Sequence, residues 1–271
     1  MELNKSNYFS QEANRHYMSV SQFKSFLPSY GGCEAQAMAT INGEYVRPPV
    51  TAFMEGHYVH AWNEGTLDEF KADNPDLYAS TGKTAGQLKA NFKHCNKMIE
   101  VLENDPLVMK ALAGEKEVIM TVVMFGIPWK VMLDSYQTGV LFSDLKALKE
   151  IDGKFWNREA QVYENFLEHY GYILQMSVYA EAERLKKGRK EGDWLLPHMV
   201  VVTKQDPPDH EIIYFDYDAI AAHLRIVGNH IERVKAVKSG KVEPVACGKC
   251  DYCRSVKKIT RIKHFQELSL Y

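Results

Sequence analysis

The chain has 271 residues, of which 45% are hydrophobic and 25% are charged, and its formal net charge is −2. These values are ordinary for a folded globular protein and exclude disorder over most of the chain. The nearly neutral chain lacks the basic excess that is typical of nucleic-acid-binding domains. A protein of this net charge can still bind nucleic acid if its positive charge is concentrated in a cleft.

Membrane insertion and secretion are both disfavoured by the sequence. Residues 1–17 are polar and lack the apolar segment of a signal peptide, and no run approaches the roughly 20 apolar residues of a membrane span. We therefore expect a cytoplasmic protein without a membrane partner. The five cysteines do not suit a disulfide framework in a chain of this size, so they are either metal ligands or bystanders.

The first hundred residues are mostly helical in pattern. Residues 19–28 predict a helix with a serine cap that stops before Pro28, followed by a turn at residues 31–33. A second helix is predicted after Pro48 and Pro49. The helical pattern returns over residues 84–112.

The period then changes to that of β-strands. Three β-rich runs cover residues 115–124, 127–136 and 139–147, and they are separated by Gly126 and by a turn at 137–139. Such closely spaced runs are typical of an antiparallel meander, in which the second and third strands are neighbours.

A long helix is predicted for residues 158–187, followed by strands at 198–203 and 211–215 and a last helix at 216–239. This order predicts an α/β or α+β fold with a central mixed sheet and helices on both faces. We expect one domain over residues 1–271, with a helical part (1–112), a core that contains the sheet (113–240) and a cysteine-rich tail (241–271).

Two acidic residues and a lysine stand on the second and third predicted strands. Asp144 and Lys146 are two residues apart, so their side chains project from the same face of a strand. A hairpin turn centred on Thr138 would place Asp134 across from position 142 and diagonal to Asp144. At that distance the two carboxylates could share one cation.

This set of side chains matches the needs of phosphodiester hydrolysis. Carboxylate oxygens bind hard divalent ions such as Mg²⁺ or Mn²⁺, and such an ion activates water and stabilises charge on a phosphate. The same residues would also fit the solvated face of an edge hairpin. The apolar neighbours Val131, Leu133, Phe142 and Leu145 favour the metal interpretation, because charged groups in apolar strands need a partner.

Several short motifs follow one another in the order Gly56-x3-His60, Asp134, Asp144-x-Lys146 and Gln175-x3-Tyr179. This order resembles the RecB-like and RecE-like branch of the PD-(D/E)xK nucleases, and the resemblance extends over most of the chain. The chain is most similar to phage exonucleases of the RecE type and to lambda exonuclease. The resemblance implies a restriction-endonuclease-like core with a helical N-terminal region.

The resemblance also implies roles for these residues. His60, Asp134 and Asp144 would bind the metal, while Lys146, Gln175 and Tyr179 would complete the catalytic set with the two aspartates. Asp144 stands where the family often has glutamate, a change that the family tolerates. The residues alone leave other interpretations open, because a histidine on an apolar helix, or a Gln and Tyr four residues apart, is also compatible with core packing.

Three cysteines, Cys247, Cys250 and Cys253, lie within seven residues, and Pro244 ahead of them favours a loop. Three thiolates at this spacing suit zinc or an iron-sulfur cluster, with Cys33 as the candidate fourth ligand. Several members of the family tie one N-terminal and three C-terminal cysteines around a 4Fe-4S cluster. The spacing here departs from the C-x2-C-x5-C of the helicase-nuclease members, which leaves zinc, or no metal, open.

The resemblance implies an exonuclease that acts on double-stranded DNA ends in phage-type recombination, in the cytoplasm of a bacterial host. It also implies a single-strand annealing protein as partner and a homo-oligomer. One alternative is an iron-sulfur nuclease of the CRISPR or DNA-repair type that acts on single strands. Another is a catalytically inactive DNA-binding module, but the intact acidic pair and Lys146 argue against it. The sequence has no GxxxxGK[ST] motif, which excludes a self-contained ATP-driven machine.

Overall fold

A five-stranded mixed β-sheet is the centre of the computed structural model, which describes residues 1–46, 51–157 and 160–267. The strands in chain order are β1 (Glu115–Met124), β2 (Ile127–Gln137), β3 (Leu141–Leu148), β4 (Phe155–Asn157), β5 (Val162–Glu164), β6 (Pro197–Thr203) and β7 (His210–Tyr214). The sheet order is β1-β2-β3-β6-β7, and β4 pairs separately with β5. Among the seven strands of the described residues, β3 and β6 pair in parallel and the other pairings are antiparallel. The predicted antiparallel meander is confirmed.

Helices surround this sheet. In chain order they are α1 (Gln11–His16), α2 (Val20–Phe26), α3 (Glu34–Asn42), α4 (Thr51–Glu64), α5 (Leu67–Asp73), α6 (Ala90–Glu103), α7 (Pro106–Ala111), α8 (Phe166–His169), α9 (Tyr172–Lys186), α10 (Tyr217–Lys238) and α11 (Asp251–Ser255). Short 3-10 turns cover Pro28–Tyr30, Pro75–Leu77, Gly82–Thr84 and Phe265–Glu267. None of the helices in the described ranges has the length and apolar character needed to cross a membrane.

The sheet is covered on both faces, as the alternation of side chains along β6 illustrates. Met199 and Val201 pack into a hydrophobic cluster with α9 and α10, whereas Val200 and Val202 pack into a second cluster with α4 and α6. A central strand that is apolar on both sides is typical of a sheet between two helical layers. The expected mixed sheet flanked by helices is therefore confirmed.

Several helix boundaries follow from local capping. Ser19 caps α2, and its side chain accepts the backbone N–H of Gln22 at 3.3 Å. The predicted helix over 84–112 is instead two helices, because Asp105 caps α7 and Pro106 occupies its first turn. The predicted starting residues Pro48 and Pro49 lie outside the described residues, and α4 is described from Thr51.

The prediction of one helix over 158–187 is wrong. Its first two residues, 158 and 159, lie outside the described residues, and β5 and α8 precede α9. The side chain of Asn165 caps α8 and Gly171 adopts a positive φ of 63° before α9, so the helical path is interrupted between them.

The C-terminal tail also differs from the prediction. Cys250 caps the short helix α11, which contains Cys253, where the sequence predicts a loop. The tail's last residues, 268–271, lie outside the described residues.

Candidate active site

Asp134 and Asp144 lie at the fork where β2 and β3 separate. The last described pair of the β2–β3 ladder is Ser135 with Ser143, so positions 134 and 144 are the next pair in register. The backbone N–H of Leu145 donates to Oδ2 of Asp134 at 2.8 Å instead of to a strand carbonyl. The fork therefore brings both aspartates to one level of the sheet.

This register corrects the prediction that Asp134 faces position 142. Phe142 pairs with Tyr136, and Gln137 pairs with Leu141. The turn is centred on Gly139, whose φ is 73°, rather than on Thr138. Because glycine adopts a positive φ without a steric penalty, it takes the middle of the turn and shifts the register by two residues.

Asp144 is almost completely buried, with only 2% of its surface exposed. Its Oδ1 accepts a hydrogen bond from Nε2 of Gln175 at 2.8 Å. Its Oδ2 lies 2.5 Å from Nζ of Lys146 but makes no hydrogen bond of suitable geometry. Burial raises the pKa of Asp144, Lys146 opposes this effect, and Asp134 adds to it. The carboxylate thus has incomplete charge compensation from the protein.

Lys146 is held as an ammonium ion by its surroundings. Burial alone would lower its pKa, but Asp144, Asp134 and Tyr172 together raise the pKa above its ordinary value. Its Nζ also lies 5.5 Å from the ring centroid of Tyr172, within the range of a cation–π contact. A lysine in this state supplies positive charge and does not act as a base.

His60 reaches the same place from α4. Its Nδ1 lies 3.5 Å from Oδ2 of Asp134. His57, one turn earlier on α4, also lines the cleft. Burial and, as a smaller effect, the neighbouring His60 lower the pKa of His57. Neutral imidazole is the form of histidine that binds metal ions.

Gln175 and Tyr179 project into the cleft from consecutive turns of α9. Burial, followed by the nearby Tyr8, Asp144 and Asp134, raises the pKa of Tyr179 well above its ordinary value, so its phenol is neutral. The cleft has a volume of about 480 Å³. The structure brings all of the predicted catalytic and metal-binding side chains to it: His60, Asp134, Asp144, Lys146, Gln175 and Tyr179.

Two glutamates extend the acidic part of the cleft. Glu64 lies four residues after His60 on α4. Burial and, as a smaller effect, the nearby carboxylate of Glu117 raise the pKa of Glu64 to about 7. Glu117 on β1 has a positive φ of 53° and lies opposite Asp134, between the pairs Lys116–Ser135 and Val118–Leu133. The i, i+4 spacing of Glu64 from His60 was a usable signal in the sequence. The conformation of Glu117 had no signal there.

Two lysines that sequence reasoning missed supply further positive charge. Nζ of Lys24 on α2 donates to the backbone oxygen of Tyr170 at 2.7 Å. Burial and, as a smaller effect, the positive charge of Lys146 lower the pKa of Lys24 to about 8. Lys130 on β2 donates to the backbone oxygen of Tyr8 and lies 4.6 Å from the ring centroid of Tyr8. Both contacts join segments far apart in the chain, so local patterns could not reveal them.

The donor set of the cleft fits a hard divalent cation. Asp134, Asp144 and His60 offer two carboxylates and an imidazole, and the buried Oδ2 of Asp144 contacts the ammonium of Lys146 but accepts no other hydrogen bond. A buried carboxylate oxygen in this condition is stabilised by coordination to a cation. The two carboxylates are therefore ligands of the type that Mg²⁺ and Mn²⁺ prefer, and His60 offers an additional nitrogen donor.

Four cysteines converge at a second place. The Sγ atoms of Cys33, Cys247, Cys250 and Cys253 all lie within 4.8 Å of one another. Cys33 immediately precedes α3, and the other three belong to the tail and α11. None of these four residues lines the catalytic cleft.

A mixed sheet between helical layers, with two aspartates and a lysine at a strand fork, defines a PD-(D/E)xK nuclease fold. A model of the family described as "PDDEXK-like domain of unknown function (DUF3799)" matches residues 19–256, and the chain belongs to this family. The expected superfamily and its restriction-endonuclease-like core are thereby confirmed.

A solved structure from Eubacterium rectale, described as a "Putative exonuclease", is 38% identical to this chain. The match covers 100% of this chain and 99% of that one, with a TM-score of 0.91. Comparison with curated proteins gives no match. The family and this similar structure both support a nuclease.

Proposed function

We propose that the protein is a divalent-metal-dependent DNA exonuclease that hydrolyses phosphodiester bonds at the ends of double-stranded DNA. The observation that carries this proposal is the pair Asp134 and Asp144 at the strand fork, with the carboxylate of Asp144 almost completely buried beside the ammonium of Lys146. The description of the E. rectale structure as a "Putative exonuclease" supports the same activity.

Asp134, Asp144 and His60 would hold the cation. When bound, Mg²⁺ or Mn²⁺ lowers the pKa of a coordinated water and stabilises negative charge on the scissile phosphate. The acidic residues that line the cleft are Glu64, Glu117, Asp134 and Asp144, against the lysines Lys24, Lys130 and Lys146. Glu117 pairs with Lys5 and Glu64 is partly protonated near neutral pH, so the remaining charges of the cleft nearly balance and do not by themselves attract a phosphate. Substrate binding should therefore depend on the metal as much as catalysis does.

The protein's own groups have distinct roles in this mechanism. Lys146 remains protonated and stabilises the charge that develops on the phosphate. Gln175 donates to Oδ1 of Asp144 and fixes the orientation of that carboxylate, so it acts as a positioning residue. The neutral phenol of Tyr179 can donate a hydrogen bond to a substrate oxygen at the wall of the cleft.

The wider biological setting rests on the resemblance to RecE-type exonucleases. By that resemblance we propose that the protein works beside a single-strand annealing protein, in the cytoplasm of a bacterial host during phage-type recombination. A homo-oligomer that encircles DNA would give the enzyme processivity.

Digestion of end-labelled linear duplex and of covalently closed circular DNA of the same sequence tests the proposal. With Mg²⁺ or Mn²⁺ the linear duplex should be degraded from its ends and the closed circle should persist, whereas EDTA should stop all hydrolysis. Asp144→Asn should abolish the reaction. Asp206→Asn, which removes an exposed carboxylate paired with Lys97, is the matched control and should retain full activity.

Each other outcome contradicts a specific part of the proposal. Equal cleavage of the closed circle would identify an endonuclease. Preference for single-stranded DNA would favour a nuclease that acts on single strands, which is the substrate of the iron-sulfur nuclease alternative. Absence of hydrolysis with either cation would favour a DNA-binding module without catalytic activity.

A further inference from the structure

The four-cysteine site has a geometry that distinguishes between two kinds of metal centre. Sγ of Cys33 lies 3.6 Å from Sγ of Cys253, and Sγ of Cys247 lies 4.0 Å from the same atom. All pairs that include Cys250 also lie within 4.8 Å. The four sulfurs therefore form a compact group, close enough together to bind one ion.

A single zinc ion fits this group. With Zn–S bonds of about 2.3 Å, four sulfurs around one tetrahedral ion are separated from each other by about 3.8 Å. In a 4Fe-4S cluster each cysteine binds a different iron, so two Fe–S bonds and an Fe–Fe separation lie between any two thiolates. That arrangement requires sulfurs farther apart than the 4.8 Å limit of this site.

We propose that Cys33, Cys247, Cys250 and Cys253 bind one Zn²⁺ ion in a closed tetrahedral site, and that a 4Fe-4S cluster, the alternative that the sequence left open, does not fit. At 3.6 Å the sulfurs of Cys33 and Cys253 are nearly in van der Waals contact. The space between the four thiols thus holds one ion but not an inorganic core of iron and sulfide.

The backbone around the cysteines is arranged to hold thiolates. The N–H groups of Lys249 and Cys250 donate to Sγ of Cys247 at 3.4 and 3.3 Å. The N–H of Cys253 donates to Sγ of Cys250 at 3.4 Å, and the N–H of Cys247 donates to Sγ of Cys33 at 3.4 Å. These donors stabilise negative charge on sulfur and orient it toward the centre of the group.

The site joins the two ends of the chain. Beside it, Glu34 accepts the backbone N–H of Val245 at 2.8 Å and pairs with Arg233 at 2.7 Å. These contacts hold the tail against α3 and α10 before any metal binds. A zinc ion would add a cross-link over more than 200 residues of sequence, which chiefly restricts the unfolded chain. Its role is structural, since none of the four cysteines lines the catalytic cleft.

The test is to determine the metal content of protein without an affinity tag, purified anaerobically from cells supplied with both iron and zinc. We expect about one zinc ion per chain, negligible iron and a colourless solution. Replacement of zinc by Co²⁺ should give the visible absorption of tetrahedral cobalt thiolate. Cys250→Ser and Cys33→Ser should lower zinc affinity at least tenfold. Cys95→Ser is the matched control, because Cys95 packs in a separate cluster, and it should retain the zinc.

About four irons and an equal amount of labile sulfide per chain, with broad brown absorption, would overturn the proposal. A metal-free protein, or one with a disulfide between Cys33 and Cys253, would overturn it as well. If Cys33→Ser does not fold, the metal content and the cobalt spectrum of the wild-type protein decide the question. Loss of zinc from Cys95→Ser to the same extent would also contradict the assignment.

Discussion

The backbone N–H of Leu145 donates to Oδ2 of Asp134 at 2.8 Å, at the point where β2 and β3 part. In an ordinary ladder this N–H would donate to a carbonyl of the neighbouring strand. Here the carboxylate takes the place of the carbonyl and so maintains the fork. We therefore expect Asp134 to have two separable functions, one in the local fold and one in the chemistry of the cleft.

Two substitutions of Asp134 should separate these functions. Asp134→Asn keeps an oxygen that can accept from Leu145, so it should lose hydrolysis but retain stability. Asp134→Ala loses the acceptor too, and its free energy of unfolding should fall by about 1 kcal/mol while the fold persists. Urea denaturation and end-labelled digestion measure the two effects. Turnover at the wild-type rate in either variant would contradict the assignment of Asp134 as a metal ligand.

Lys146→Met should lower turnover by roughly 10²- to 10³-fold, because it removes positive charge from the scissile phosphate's surroundings. Affinity for Mn²⁺, measured by titration calorimetry, should remain or increase, since Nζ competes for Oδ2 of Asp144 at 2.5 Å. Lys146→Arg keeps the charge and serves as the control, with a smaller loss of turnover. A decrease in Mn²⁺ affinity as large as that of Asp144→Asn would refute this role.

Gln175→Ala should lower turnover 10- to 100-fold and raise the Mg²⁺ concentration that gives half-maximal activity, because Asp144 loses the donor that orients it. Gln137→Ala is the control, since Nε2 of Gln137 donates to the backbone oxygen of Lys110 at the end of β2. The dependence on Mg²⁺ is the discriminating measurement. If it is the same in Gln175→Ala and the wild type, Gln175 does not position the carboxylate.

Local spacing was sufficient to predict the parts of the site that lie within one element. Asp144 and Lys146 share a strand face, and Gln175 and Tyr179 share a helix face, because the periods of 2 and 3.6 residues fix those relationships. The opposition of Asp134 and Asp144 was predicted with a register error of two residues. The deciding factor was the position of one glycine in the turn, which the pattern of strand residues does not encode.

Contacts between distant segments were not predictable in this way. Lys24 reaches the cleft from α2, and Tyr8 reaches it from the N-terminal segment. The helix predicted over 158–187 was wrong because apolar residues continue through Asn165 and Gly171, where capping and a positive φ interrupt the helix. Pairing of Cys33 with the tail was suggested by residue type and family resemblance, and only the three-dimensional fold gives the sulfur separations.

A buried ion pair away from the cleft should contribute measurably to stability. Glu183 on α9 is fully buried, accepts from the hydroxyl of Tyr136 at 2.9 Å and pairs with Arg189. Arg189→Met leaves this carboxylate without a cation and should lower the free energy of unfolding by about 3 kcal/mol. Lys97→Met removes only an exposed ion pair and should leave the urea midpoint unchanged. Equal midpoints for the two variants would contradict this prediction.

Glu64 should make stability depend on pH in the absence of metal. Its pKa is about 7 in the folded protein, against an ordinary value of 4.5, because of burial and Glu117. Between these values the folded form binds a proton that the unfolded chain releases, so stability falls as the pH rises from 4.5 to 7. Glu64→Gln cannot ionise. In EDTA the Glu64→Gln variant should be as stable as the wild type near pH 4.5. After allowance for solvent screening, it should be more stable than the wild type by about 1 to 2 kcal/mol at about pH 8.

Glu69→Gln, at an exposed position on α5, is the control. A stability difference between Glu64→Gln and the wild type that does not change with pH would mean that Glu64 is not protonated in the folded cleft.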